Sequence, residues 1–123
     1  MRSVLSLILL LLPLSASAGG HMDVIQVTLN EKCSVAKYVA IKNDFNKTWG
    51  KQNGYLAEVV VPIQSEDLQS VFWVGRTADA AGYGKAWDTW RDETANPKSI
   101  AGKLQERFNE CSTNDSRRGY DVY

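Results

Sequence analysis

Two cysteines, one histidine and a group of aromatics accompanied by one arginine and one glutamate are the side chains here that could do chemistry. Cys33 and Cys111 are too few and too far apart for a four-ligand zinc site, and neither belongs to a C-x-x-C redox pair. A thiolate nucleophile needs a base beside it. The sole imidazole, His21, falls near the start of the mature chain, where order is usually poor. Two cysteines in an oxidising compartment are most simply one structural disulfide, Cys33 to Cys111. Trp73, Tyr83, Trp87 and Trp90 offer flat apolar surface of the kind that takes a flat organic ligand by stacking and burial, although aromatics at such spacing also serve an ordinary core. Arg76 ends a strand and is suited to hold an anionic group on that ligand. Glu58 on the neighbouring strand is its polar partner and, if buried, a general base. The plainer alternative is a cross-strand surface ion pair, worth little. No Gly-x-Ser-x-Gly elbow, phosphate-cradling glycine loop or His-rich metal spacing occurs, so neither a cofactor nor a metal is expected. Asn46-Lys47-Thr48 and Asn114-Asp115-Ser116 fit the glycosylation sequon, which matters only in a eukaryotic source.

The oxidising compartment follows from the first residues. Arg2 precedes an apolar run from Leu5 to Leu12, and Pro13 leads to the small residues Ser15-Ala16-Ser17-Ala18. A basic start, an apolar middle and an Ala-x-Ala site describe a signal peptide, residues 1–18, cut before Gly19. The run is shorter than the roughly 20 residues that cross a bilayer and has no basic stop-transfer cluster after it. A secreted or periplasmic protein free of the membrane is expected. Of the 123 residues, fourteen are Lys or Arg and fourteen Asp or Glu. Loss of Arg2 leaves the mature chain at −1, with no basic footprint for nucleic acid. At 44% apolar and 23% charged, the chain is an ordinary globular one, and residues 19–123 make a single domain with a small core.

The elements that must position these side chains are legible as periodicities. Asp23 to Leu29 is β-branched and alternating, a first strand after a flexible Gly19-Gly20. Ser34 caps a helix carried by Val35, Tyr38, Ile41 or Lys42, Phe45 and Trp49, ending before Gly50 or Gly54. Tyr55 to Val61 and Ser70 to Arg76 are the second and third strands, joined by a polar connection. Ala78 to Glu93 is a helix with Tyr83, Trp87 and Trp90 on one stripe, capped by Thr77 or Asp79. Asn96-Pro97 opens a further helix along Ile100, Leu104, Phe108 and Cys111. Asn114-Asp115-Ser116 breaks it, and Gly119 to Tyr123 forms a short fourth strand.

The order βαββααβ is ferredoxin-like, an α+β fold with a four-stranded antiparallel sheet in the order four, one, three, two. Cys33 follows the first strand and Cys111 precedes the last, so this topology brings the two together. The passage from Ser70-Val71-Phe72-Trp73-Val74-Gly75-Arg76-Thr77 through Ala78-Asp79-Ala80-Ala81-Gly82-Tyr83-Gly84-Lys85-Ala86-Trp87 resembles the strand-to-helix passage of the dimeric α/β-barrel superfamily, which includes the antibiotic-biosynthesis-monooxygenase-like proteins. The resemblance implies a homodimer whose two sheets form a barrel, often with a cavity between sheet and helices. Haem-degrading members rely on a tryptophan near the end of this strand and a histidine on the next helix. Here Gly75 stands at about the tryptophan position, and no histidine follows His21, so that chemistry does not carry over.

Two function classes remain. One is a non-enzymatic exported module binding a small aromatic or anionic molecule or a partner. The other is a cofactor-free, monooxygenase-like barrel enzyme acting on a small aromatic substrate. The absence of catalytic signatures favours the first.

Overall fold

The computed structural model describes residues 20–123. The expected signal segment and its cleavage site lie outside the described residues.

Strand β1 (Gly20–Leu29) leads to helix α1 (Val35–Phe45), where the Ser34 hydroxyl accepts from the Lys37 N–H at 3.1 Å and satisfies one of the orphan donors of the first turn. The helix runs on through a π turn (Asn46–Gly50) and a 3-10 turn (Lys51–Asn53), and Gly54 stops it at φ 66°, a conformation that costs glycine nothing. In the π turn the Asn46 amide donates to the Ala57 carbonyl and accepts from the Ala57 N–H, both at 2.8 Å, fastening the turn to β2 (Leu56–Val60). Strand β3 (Val71–Thr77) is followed by α2 (Ala80–Thr94), capped by Asp79. Helix α3 (Ile100–Cys111) runs directly into β4 (Ser112–Val122).

The strands lie in the order β2-β3-β1-β4, antiparallel throughout, as the ferredoxin-like reading requires. Leu29 pairs with Ser112, and the Asn30 N–H donates to the Cys111 carbonyl at 2.9 Å. Cys33 and Cys111, 78 positions apart, are thereby brought to a Cα separation of 5.0 Å and joined in a disulfide.

One sheet face is covered by helices. Val27, Ile25, Trp73, Val71 and Ala57 point to it and meet Tyr38, Ile41, Phe45, Ala101 and Leu104 in a single core. Within it Trp73 stands edge-on to Phe45 and Phe108, with ring centroids 5.0 and 5.2 Å away. The opposite face, carrying Val24, Phe72, Val74, Leu56 and Val60, has no helix over it.

Several boundaries differ from the sequence reading. β1 begins at Gly20 rather than Asp23, because His21 and Met22 already pair with both Thr77-Arg76 and Asp121-Tyr120. β4 spans eleven residues rather than the last five. Asn114-Asp115-Ser116 is no break: a bulge at this point lets the ladder with β1 continue, and the Asp115 carboxylate accepts from the Thr28 hydroxyl at 2.6 Å. α3 starts at Ile100 under a Ser99 cap, since Asn96 accepts from the Lys98 N–H in a turn of its own. Ile100 is consequently exposed and not on the core stripe.

Candidate functional site

Strand alternation divides the candidate residues between two faces. Trp73 points to the helices and lies near Tyr83, Trp87 and Trp90 of α2, and all four line a cavity of about 130 Å³ between helices and sheet. Arg76 and Glu58 lie on the helix-free face. Their Nε–Oε1 distance is 3.3 Å and their side chains are 52% and 63% exposed, so they form a solvated cross-strand pair far from any aromatic pocket. Arg76 therefore cannot anchor a ligand among Trp73, Tyr83, Trp87 and Trp90, and Glu58, solvated on the same outer face, is not a buried base. The parity that places Phe72 and Val74 outward also places Arg76 outward.

Other polar groups lie at this cavity: Tyr55 before β2 and Arg117 on β4 line it with Gln105 and Asn114, and Asp23 on β1 stands behind Tyr55 and Arg117. Asp23 is only 2% exposed, so its charge must be compensated on the spot. Arg117 supplies a two-pronged contact, Nε to Oδ1 at 3.0 Å and Nη2 to Oδ2 at 3.1 Å. The Tyr55 hydroxyl donates to Oδ2 at 2.8 Å and accepts from the Trp73 indole N–H at 2.8 Å. The Arg117 guanidinium also lies over the Trp87 ring, 4.3 Å from its centroid. One chain of contacts thus runs Trp73, Tyr55, Asp23, Arg117, Trp87.

Gly75 makes this chain possible. A Cβ there would stand inside the Tyr55 ring, so the bare backbone of β3 is the floor on which Tyr55 lies to reach Asp23. The same close approach explains why no large side chain occupies position 75. Burial first, and then the neighbouring Asp23 carboxylate, hold the Tyr55 phenol far above its ordinary ionisation range, so Tyr55 is a donor and not a base. Burial also raises Tyr83.

Two further indole donors on the cavity wall are satisfied. The Trp49 indole donates to Glu93 at 2.7 Å and the Trp90 indole to Gln105 at 3.1 Å. Donors without a protein partner among the described residues include the Nη1 group of Arg117, the Tyr83 hydroxyl and the Asn114 amide. Among the described residues no three His, Cys, Asp or Glu side chains converge as a metal site. His21, expected in a poorly ordered start, is held in β1 with Nδ1 3.2 Å from Asp121 and its ring 5.0 Å from that of Tyr83, at the same end of the sheet as Gly119.

No protein-family model and no curated protein matches the chain. Solved structures do. SnoaB, a cofactor-independent oxygenase from Streptomyces nogalater, superposes with a TM-score of 0.56 over 86% of this chain and 95% of its own, at 12% identity. The shared fold is the ferredoxin-like one that the strand order β2-β3-β1-β4 already describes. A dimeric protein of unknown function with a ferredoxin-like fold, from Bacteroides fragilis, superposes with a TM-score of 0.43 over 85% of this chain and 95% of its own, at 11% identity. At 12% identity the likeness to SnoaB is one of fold.

Asp23, Tyr55 and Arg117 escaped the sequence reading for different reasons. Asp23 did carry a signal: it is a lone carboxylate in register with Ile25 and Val27 on the buried face of a β-branched strand. Tyr55 looked like an ordinary strand start. Arg117 sat in what resembled a helix-breaking loop, where alternation could not be applied.

Proposed function

We propose that this protein is an exported, homodimeric binding module for a small flat aromatic molecule, held in the cavity between α2, α3 and the sheet. The observation that carries the reading is the composition of that cavity: aromatic walls, a few spare donors of which those on Arg117 are the charged ones, and no free base on the wall. Asp23, the one buried carboxylate among the described residues, has both oxygens engaged by Arg117 and Tyr55 and does not line the cavity. A volume of about 130 Å³ suits a molecule of one ring, close to apolar cavities of roughly 150 Å³ that take benzene. Export rests on the N-terminal segment and agrees with the disulfide. Dimerisation rests on the helix-free sheet face, where Leu56 and Val60 are 52% and 45% exposed beside Phe72 and Val74.

A thermal-shift screen of one-ring aromatics tests the site. Binders should raise the midpoint of the wild-type chain, and Trp87→Ala, which removes a cavity wall at a half-buried position, should abolish the shift while the fold survives. A panel with no binder removes the reading. Cofactor-free oxygenation of the bound ring is the second reading, favoured by the fold shared with a cofactor-independent oxygenase. Oxygen uptake with a bound aromatic, in the absence of added metal or flavin, would establish it.

A further inference from the structure

The binding reading can be taken to the charge of the ligand. We infer that the cavity selects an uncharged ring carrying a hydrogen-bond acceptor, such as a ketone, over the carboxylate of a similar ring, and that Asp23 sets this choice. Among the described residues Arg117 is the one charged side chain on the cavity wall. Its charge is already matched by Asp23 at 3.0 and 3.1 Å, and the burial of Asp23 keeps water from screening that counter-charge. To a ligand the pair presents spare N–H groups with no net charge behind them.

A second negative group lies behind the wall. Glu93 accepts from the Trp49 indole and has no cationic partner among the described residues, while the nearby Arg91 is paired with Asp88. A carboxylate entering the cavity would lose its hydration and meet a guanidinium already neutralised, with Glu93 close by. A ketone oxygen is cheaper to dehydrate, still accepts from Nη1, and leaves the local charge unchanged. Its ring lies among the aromatic walls in either case, so the charge decides between them.

Acetophenone and benzoate are similar in size and flatness and isolate that charge. Each is titrated into the full-length mature protein at neutral pH, followed by ligand-observed NMR and by quenching of indole fluorescence. Acetophenone should bind tighter than benzoate by about tenfold or more. Asp23→Asn keeps an acceptor for the Tyr55 hydroxyl but removes the counter-charge, and it should reverse the order, with benzoate gaining about tenfold or more. Glu93→Gln keeps the bond to Trp49 and should strengthen benzoate about two- to threefold without weakening acetophenone, which gives a second reading should Asp23→Asn fail to fold. Benzoate binding as tightly as acetophenone to the wild-type protein overturns the selectivity and leaves the cavity standing as a site. An unchanged ratio in folded Asp23→Asn overturns the role of Asp23. Binding of neither probe overturns the site and the selectivity together.

Discussion

Tyr55 joins two other side chains through one hydroxyl, and its position depends on an atom that is missing from its neighbour. Gly75→Ala puts a Cβ where the Tyr55 ring lies, so the ring must leave and both the Trp73 and Asp23 bonds go with it. We expect a loss of about 2–3 kcal/mol, read by urea unfolding, from the displaced ring and the unpaired indole. A cost under about 0.5 kcal/mol, within the range of surface substitutions, would show that the ring moves freely. A second residue-scale effect appears in alkali. Burial pushes the Tyr38 phenol from 10.0 up to about 12. The unfolded chain ionises first, so the contribution of Tyr38 is intact below about pH 10 and is lost as pH rises toward 12, about 3 kcal/mol in all. Unfolding midpoints should be level up to pH 10 on this account and fall above it, with Tyr38→Phe removing part of the fall. Of the candidate site, the aromatic walls were legible because helical and strand periodicity display them. The polar lining was not, because a buried ion pair between β1 and β4 depends on register across ninety-four residues.

At the scale of elements, the disulfide joins the end of α3 to the turn after β1. Closing a loop of 78 positions reduces the freedom of the unfolded chain, worth about 4–5 kcal/mol on the chain-entropy model. The double variant Cys33→Ser, Cys111→Ser should lose most of that in guanidinium melts, and a loss below about 1 kcal/mol would mean that the reduced unfolded chain stays compact. The strands and helices up to Thr94 were readable because each has its own punctuation: Ser34, Asp79, Gly54 and Pro62 mark ends by local chemistry. β4 was not, for a physical reason. Ser112-Thr113-Asn114-Asp115-Ser116-Arg117-Arg118 has little strand propensity, and it is extended because β1 offers a complete partner edge and a bulge absorbs the misfit. Tertiary pairing overrode local preference there. The Asn96-Pro97 start failed in a similar way, since Gly102 packs against the Asn96 carbonyl and leaves the cap to Ser99.

For the whole molecule, helices cover one face of the sheet, and the other carries Val24, Phe72, Val74, Leu56 and Val60. In the proposed homodimer a second copy of the chain covers this face. Leu56 and Val60 are already exposed, so Leu56→Lys with Val60→Lys should leave the monomer folded while weakening the dimer. With roughly 1.5–3 kcal/mol for each apolar side chain fully covered, the pair should raise the dimer dissociation constant by about two to four decades. Sedimentation with circular dichroism reads both effects, and a wild-type protein that stays monomeric at micromolar concentration removes this interface. The pairing of Gly20 with Val122 and the disulfide at the far end of the same two strands have a mechanical meaning. Tension applied between the two ends of the described chain peels β1 from β4 one rung at a time, like a zip, and the covalent bond then stops it. Only the stretches outside the Cys33–Cys111 loop can be paid out, an extension on the order of 90 Å at about 3.5 Å per residue. The cavity-bearing helices and the strands β2 and β3 lie inside the loop and carry none of the load. Reducing agent would release the remainder, so the same molecule is a short tether when oxidised and a long one when reduced.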